Sequence, residues 1–336
     1  MIAGAALAGA VPAAAGAGRG ARAGGVGRYR GPMLPATPSR PFGAVLTAMV
    51  TPMREDGAID LDAAVRLATH LVDHGHDGLV LNGTTGESPT THAPEKADLI
   101  SAVVAAVGDR AAIVAGAGSN DTLHAVRMAE QAAEAGADGL LVVSPYYSRP
   151  SQDGVVRHVT AVADSTPLPV MLYDVPGRTG VRFAQPTLDA LAAHERVVAM
   201  KDATGDVYAA AKAAARTGLA WYSGDDSLYL PFLAHGAAGI VSVVGHVAGP
   251  QLAAITAAHD AGDHARALEI FLSIAPAIDA LNGQGFQAVA AKAAVWSLGL
   301  IPSRHLRLPN VAASDEDVEA VRAGLSAAGV AGVLSV

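Results

Sequence analysis

The chain has 336 residues, a formal net charge of −8, no cysteine and a composition that is 51% hydrophobic with few aromatics. The charge speaks against a general nucleic-acid binder, and the missing cysteines exclude disulfides, thiolate metal sites and a Cys nucleophile, which suits a reducing cytoplasm. No apolar run reaches membrane-spanning length without Gly, Pro or a charge, so no membrane span is expected.

Residues 1–40 stand apart. They are Ala/Gly-rich and carry five arginines and no acid, so the remainder of the chain holds a net −13. A secretory signal wants positive charge before its apolar stretch, and here the arginines follow it. A disordered low-complexity tail is expected, or a start assigned too far upstream, with Met33 as the alternative start.

From Phe42 onward short β-rich runs alternate with helical patterns of about ten to fifteen residues. The runs are GAVLTAMVTP, GLVLNG, AAIVAGAG, GLLVVSP, PVMLYDVP, VVAMKD, WYSGD and GIVSVVG. One phrase recurs before three of them, as HGHDGLVLN, AGADGLLVV and HGAAGIVSV. In each, a Gly closes a helix and a short turn enters a buried strand. Eight such units predict a (β/α)8 TIM barrel over 41–262. A doubly wound sheet is the alternative, but no G-x-G-x-x-G follows any strand. After about residue 247 the strand signals stop. AAITAAHDAG, HARALEIFLSIAPAIDAL, FQAVAAKAAVWSLGL and SDEDVEAVRAGLSAAGV read as helices, so 263–336 is a C-terminal helical extension whose own role the pattern does not reveal. Ser314 followed by acids is a good cap for the last of them.

Barrels of this kind place their sites at the C-terminal ends of the strands. There the chain offers Asn82-Gly83-Thr84-Thr85-Gly86-Glu87, Gly118-Ser119-Asn120, Ser144-Pro145-Tyr146-Tyr147, Tyr173-Asp174, Arg178, Lys201 and Gly224-Asp225-Asp226. Lys201 is the unusual member. Of four lysines, Lys96, Lys212 and Lys292 lie in helical patterns and read as solvated, whereas Lys201 ends an apolar V-V-A-M run. An ammonium buried without a partner is costly, so such a lysine is paired or neutral part of the time. Periodicity alone favours a solvent ion pair with Asp202. The neighbouring groups point the other way: hydroxyls and loop amides suit a carboxylate or oxyanion, a lysine attacks a ketone, and a tyrosine relays the protons of a carbinolamine. That set fits 2-keto acid chemistry through an imine. No P-loop, H-E-x-x-H or G-x-S-x-G is present, and His74 and His76 read as surface residues rather than metal ligands.

GTTGES, SPYYSRPSQ, YDVPGRT, MKDATGD, YSGDD and GIVSV stand in the order and at the spacing of the dihydrodipicolinate synthase family, and from Phe42 onward the chain resembles it. That family belongs to the pyruvate-dependent class I aldolases, with the N-acetylneuraminate lyases. The resemblance implies a lyase that condenses pyruvate with aspartate semialdehyde in lysine and diaminopimelate synthesis, with no cofactor or metal, as a homotetramer of two tight dimers. It implies that Lys201 forms the imine, Tyr173 relays protons with Thr84, and Tyr147 enters the partner's site. Thr85 would hold the pyruvate carboxylate, Arg178 the semialdehyde carboxylate, and Gly224 and Val241 would lie beside the imine. Asp174 departs from the commoner Asn and adds an acid beside the site.

Many members of the family are inhibited by lysine at the tight-dimer interface, held by an Asn and a Glu one helical turn later. Asn120 matches the Asn, but His124 stands where the Glu would be, and Glu87 and Tyr146 are the groups able to compensate. Weak or absent lysine inhibition is the expectation. Two rival readings stay open: an aldolase or dehydratase for sugar-derived 2-keto acids, and a barrel without activity that serves as a scaffold.

Overall fold

The computed structural model describes residues 38–283 and 285–332. Its centre is a closed barrel of eight parallel strands: β1 (Val45–Ala48), β2 (Gly78–Leu81), β3 (Ala112–Gly116), β4 (Gly139–Val143), β5 (Val170–Asp174), β6 (Val197–Asp202), β7 (Ala220–Ser223) and β8 (Gly239–Ser242), with β8 paired back to β1. Seven fall within runs read from the sequence, and β7 begins one residue before its run, at Ala220. Around them lie α1 (Leu61–Asp73), α2 (Ala93–Val107), α3 (Thr122–Glu134), α4 (Gln152–Asp164), the one-turn α5 (Pro176–Thr179), α6 (Gln185–Ala192), α7 (Val207–Thr217), α8 (Tyr229–Ala234) and α9 (Gly245–Asp260). Four helices follow: α10 (His264–Ser273), α11 (Ala275–Asn282), α12 (Gln287–Ser297) and α13 (Asp315–Ala327).

The strands are apolar on both faces because both are covered. One face packs against the helices in a cluster that runs on into the C-terminal helices. The other fills the barrel interior with Leu46, Val80, Val114, Leu141, Met171 and Val241, among others. Phe42 plugs the N-terminal end. A Cβ at Gly139 would come within 2.5 Å of its ring, so the start of β4 needs glycine. The recurring phrase acts as read: Gly75, Gly136 and Gly236 have φ of 89°, 89° and 86°, where a side chain would be strained.

Four details differ from the sequence reading. Arg40, grouped there with the tail, donates to Asp260 through Nη1 and Nη2 at 2.7 and 2.9 Å and to the Ala238 carbonyl, and so belongs to the fold. Residues 1–37, including Met33, lie outside the described residues. The pattern HARALEIFLSIAPAIDAL is two helices, α10 and α11, which meet at Ile274 with Pro276 in the first turn of the second. His76 is buried, its ring bonded to Thr47 Oγ1 at 2.7 Å and the Leu71 carbonyl at 2.6 Å, while His74 stays exposed. Lys96 and Lys292, read as solvated, are 7% and 0% exposed. Periodicity marked their positions as helical, but a mostly Ala pattern carries little information about which face is covered.

Ser314 caps α13 with Asp317 in a reciprocal capping box, as its sequence suggested. Among the described residues no helix is long and apolar enough to cross a membrane.

Candidate active site

The side-chain alternation of a strand decides which groups meet at the mouth of the barrel. In the β5–β6 register Tyr173 pairs with Lys201, and Asp174 pairs with Asp202. The first pair faces inward. Lys201 Nζ sits 4.4 Å from the centre of the Tyr173 ring, and the lysine is 5% exposed. The second pair faces the helices. Asp202 accepts from Trp221 Nε1 at 2.9 Å and from the Thr204 amide at 2.8 Å, so the solvent ion pair with Lys201 does not form. Adjacent residues in a strand point to opposite faces, which rules that pair out.

Burial pulls the Lys201 ammonium down to about 8, helped by the positive charge of Arg178 and opposed by Asp226. Asp226 is itself buried. It accepts from Ser242 Oγ at 2.5 Å, Asn282 Nδ2 at 2.8 Å, and the amides of Val244 and Val243 at 3.0 and 3.1 Å. Burial raises its carboxyl, against those four bonds. Burial likewise pushes the Tyr173 phenol up, while the Arg178 charge and a hydrogen bond with the Thr84 side chain work against the shift.

Thr84 and Thr85 belong to a tight loop after β2. The Gly86 amide donates to the Gly83 carbonyl at 3.0 Å, the Glu87 amide to the Thr84 carbonyl at 3.1 Å, and Thr51 Oγ1 to the Gly86 carbonyl at 2.7 Å. Thr85 is buried and Thr84 half-buried. Tyr147 is the opposite case. It is 90% exposed and its φ is +70°, a backbone state that bulky residues rarely adopt. Arg178, on α5, is exposed. Its guanidinium lies 5.5 Å from the Phe286 ring centre and donates to Gln287 Oε1 at 3.3 Å.

A cleft of about 620 Å³ opens above Tyr173 and gathers Thr84, Tyr147, Arg178, Tyr146 and Glu87 at its walls. Lys201 and Thr85 do not line it; Lys201 reaches it only through Tyr173, whose ring packs on the Lys201 amine. Val241 is buried in the barrel interior, and the Gly224 amide donates to the Asp202 carbonyl at 2.7 Å; neither lines the cleft.

The suggested effector group does not assemble into one pocket. Asn120 and His124 are exposed and lie outside the cleft. Glu87 is not a spare acid: its side chain is 0% exposed and its Oε1 takes a 2.5 Å ion pair from Lys292. Asp174 does not face the site. It points toward α6, accepting from the Phe183 amide at 3.3 Å, and its other oxygen has no partner. Burial lifts its carboxyl to about 7.

Sequence reasoning passed over the contribution of the C-terminal helices. Phe286, Pro309 and Asn310 line the cleft, and Asn282 and Lys292 hold Asp226 and Glu87. The only available signal was that Asp226 and Glu87, two acids at strand ends, needed partners.

Comparison with known proteins agrees with this geometry. Residues 41–328 match the model of the Dihydrodipicolinate synthetase family. The chain is 55% identical over 296 residues to 4-hydroxy-tetrahydrodipicolinate synthase 2 of Streptomyces coelicolor, covering 88% of this chain and 98% of that protein. It is 54% identical over 292 residues to the 4-hydroxy-tetrahydrodipicolinate synthase of Bifidobacterium longum, covering 87% and 96%. Among solved structures, a Cyanidioschyzon merolae homologue with lysine bound superposes with a TM-score of 0.84 at 37% identity, covering 87% of this chain and all of the other. The dihydrodipicolinate synthase of Bacillus anthracis gives 0.82 at 39%, covering 85% and 98%. The chain belongs to the dihydrodipicolinate synthetase family.

Proposed function

We infer that the chain is an enzyme that condenses pyruvate with aspartate 4-semialdehyde to 4-hydroxy-tetrahydrodipicolinate, through an imine on Lys201. The observation that carries the residue assignment is a buried lysine of lowered pKa lying against the ring of a buried tyrosine at the base of the cleft. With a pKa of about 8, about a tenth of the amine is neutral at pH 7, far more than for a solvated lysine.

The neutral Lys201 amine adds to the C2 carbonyl of pyruvate. The carbinolamine loses water, and Tyr173 with Thr84 passes the protons. Thr85 and the loop amides hold the pyruvate carboxylate. Loss of a methyl proton gives an enamine, whose carbon attacks the aldehyde of the semialdehyde. Arg178 at the mouth takes the carboxylate of that second substrate. The amino group of the adduct then attacks the imine carbon, closing the ring and returning Lys201 as a free amine. No cofactor or metal enters this scheme. In this reading Gly224 and Val241 lie beside the imine, behind the residues that line the cleft.

Tyr147 is read as a residue for a partner subunit. An aromatic 90% exposed on a positive-φ backbone fits a contact supplied across a two-fold axis, within a homotetramer of two tight dimers. Mixing Tyr147→Phe with Lys201→Ala subunits is expected to restore part of the activity that each has lost. No recovery in verified mixed dimers would contradict shared sites. A cytoplasmic location fits a cysteine-free biosynthetic enzyme.

A coupled assay tests the reaction. Turnover with pyruvate and aspartate semialdehyde is expected. Turnover only with a sugar-derived 2-keto acid would favour another aldolase of the superfamily, and none with either would favour a scaffold.

A further inference from the structure

The joint between the barrel and its C-terminal helices contains a buried ion pair with no place in the chemistry above. Lys292 on α12 and Glu87 in the loop after β2 are 205 residues apart in sequence, both side chains are 0% exposed, and Nζ meets Oε1 at 2.5 Å. The pair is fully engaged. Lys292 also donates to the His305 carbonyl at 2.6 Å, and Glu87 Oε2 accepts the Arg307 amide at 3.0 Å. Arg307 reaches back with Nη1 to Glu95 at 2.5 Å and to the Thr90 carbonyl at 2.8 Å. The same C-terminal segment therefore grips the start of α2 and the end of the Thr84–Thr85 loop.

Glu87 is held at φ +59°, a conformation that a non-glycine residue keeps only when its surroundings impose it. Its amide closes the turn onto the Thr84 carbonyl. The carboxylate of this residue is anchored from outside the barrel. We propose that Lys292 is a positioning residue for catalysis: through Glu87 it sets the Thr84–Thr85 loop in the register that receives the pyruvate carboxylate and completes the Tyr173 relay. The proposal rests on the imine reading above.

A purely structural ion pair would predict a different outcome, and two variants separate the two cases. Lys292→Met leaves Glu87 as an uncompensated buried charge and is expected to lower thermal stability. Glu87→Gln combined with Lys292→Met removes both charges, so the melting temperature should return most of the way. The readout is imine trapping with borohydride over a pyruvate titration, followed by mass. Lost stability alone lowers the labelled fraction without moving the half-saturating pyruvate concentration. Loss of positioning raises that concentration, by about tenfold, and the double variant should keep the increase while regaining stability.

A double variant that recovers the wild-type half-saturation along with its stability would overturn the proposal. So would a folded Lys292→Met protein with unchanged half-saturation. Failure of the wild type to be trapped at all would instead reject the imine reading, so the two failures are distinguishable.

Discussion

The mouth of the barrel and its joint with the C-terminal helices each bury a lysine, Lys201 at 5% and Lys292 at 0% exposure. Burial lowers the pKa of both, and it is the largest cause in each case. Their partners differ. Lys292 has a carboxylate at 2.5 Å and a carbonyl at 2.6 Å. Lys201 has the face of Tyr173 and a carboxylate, Asp226, whose bonds are already taken by Ser242, Asn282 and two amides. Desolvation alone does not make a nucleophile. It does so where the opposing charge is committed elsewhere and the amine packs under a tyrosine that lines a cleft.

The largest expected effect comes from removing the reactive member. Lys201→Ala should fold and lose activity by about a thousandfold or more, since Lys201 alone among the four lysines packs on the Tyr173 ring. Activity within about tenfold of wild type, measured in the coupled assay, would break the contrast between the two lysines.

The pH dependence sharpens it. Lys201 has a folded pKa of about 8, so the rate of imine formation at limiting pyruvate should rise about tenfold per pH unit below 8 and level off above it. A profile flat from pH 6 to 8 would mean that the amine is already neutral, or that another step limits.

The same logic extends to carboxylates. Glu87 is paired, whereas Asp174 faces the helices with one oxygen unpartnered and a carboxyl raised to about 7. A carboxyl with a raised folded pKa stays protonated in the native state while the unfolded chain ionises, so its stability contribution is full below about 4 and is lost as pH rises through 7. Asp174→Asn should therefore stabilise the protein by about 1–3 kcal/mol at pH 8 and by little at pH 4. Thermal melts at the two values check this, and equal shifts at both would contradict it.

The smallest effect concerns regulation. Lys96 is a third buried lysine, brought down to about 8 by burial, with Nζ 3.2 Å from Ser88 Oγ at the edge of the cleft. Glu87 is committed to Lys292, and His124 offers no carboxylate. Lysine should inhibit weakly or not at all, and His124→Glu should strengthen inhibition by about threefold to tenfold in a lysine titration. Strong inhibition of the wild type at low lysine concentration would refute this.

Much of the fold was legible because parallel strands covered on both faces leave continuous apolar runs, and Gly marks the helix ends before β2, β4 and β8. Thr84, Tyr173, Tyr147 and Arg178 were legible for a related reason, since strand ends in a barrel must converge. What stayed hidden was side-chain facing and long-range pairing. Asp174 and Asp202 follow inward-facing residues and so point outward, a fact fixed by register. The Glu87–Lys292 pair spans 205 residues, and an Ala-rich helix gives no local sign that its lysine is covered.

Peptide mapping after borohydride reduction in the presence of pyruvate identifies the lysine that carries the imine. One reduced pyruvyl addition is expected, on the peptide containing Lys201, with Lys96, Lys212 and Lys292 unmodified. Labelling on any of those three instead, or labelling that persists unchanged in Lys201→Ala, would contradict it.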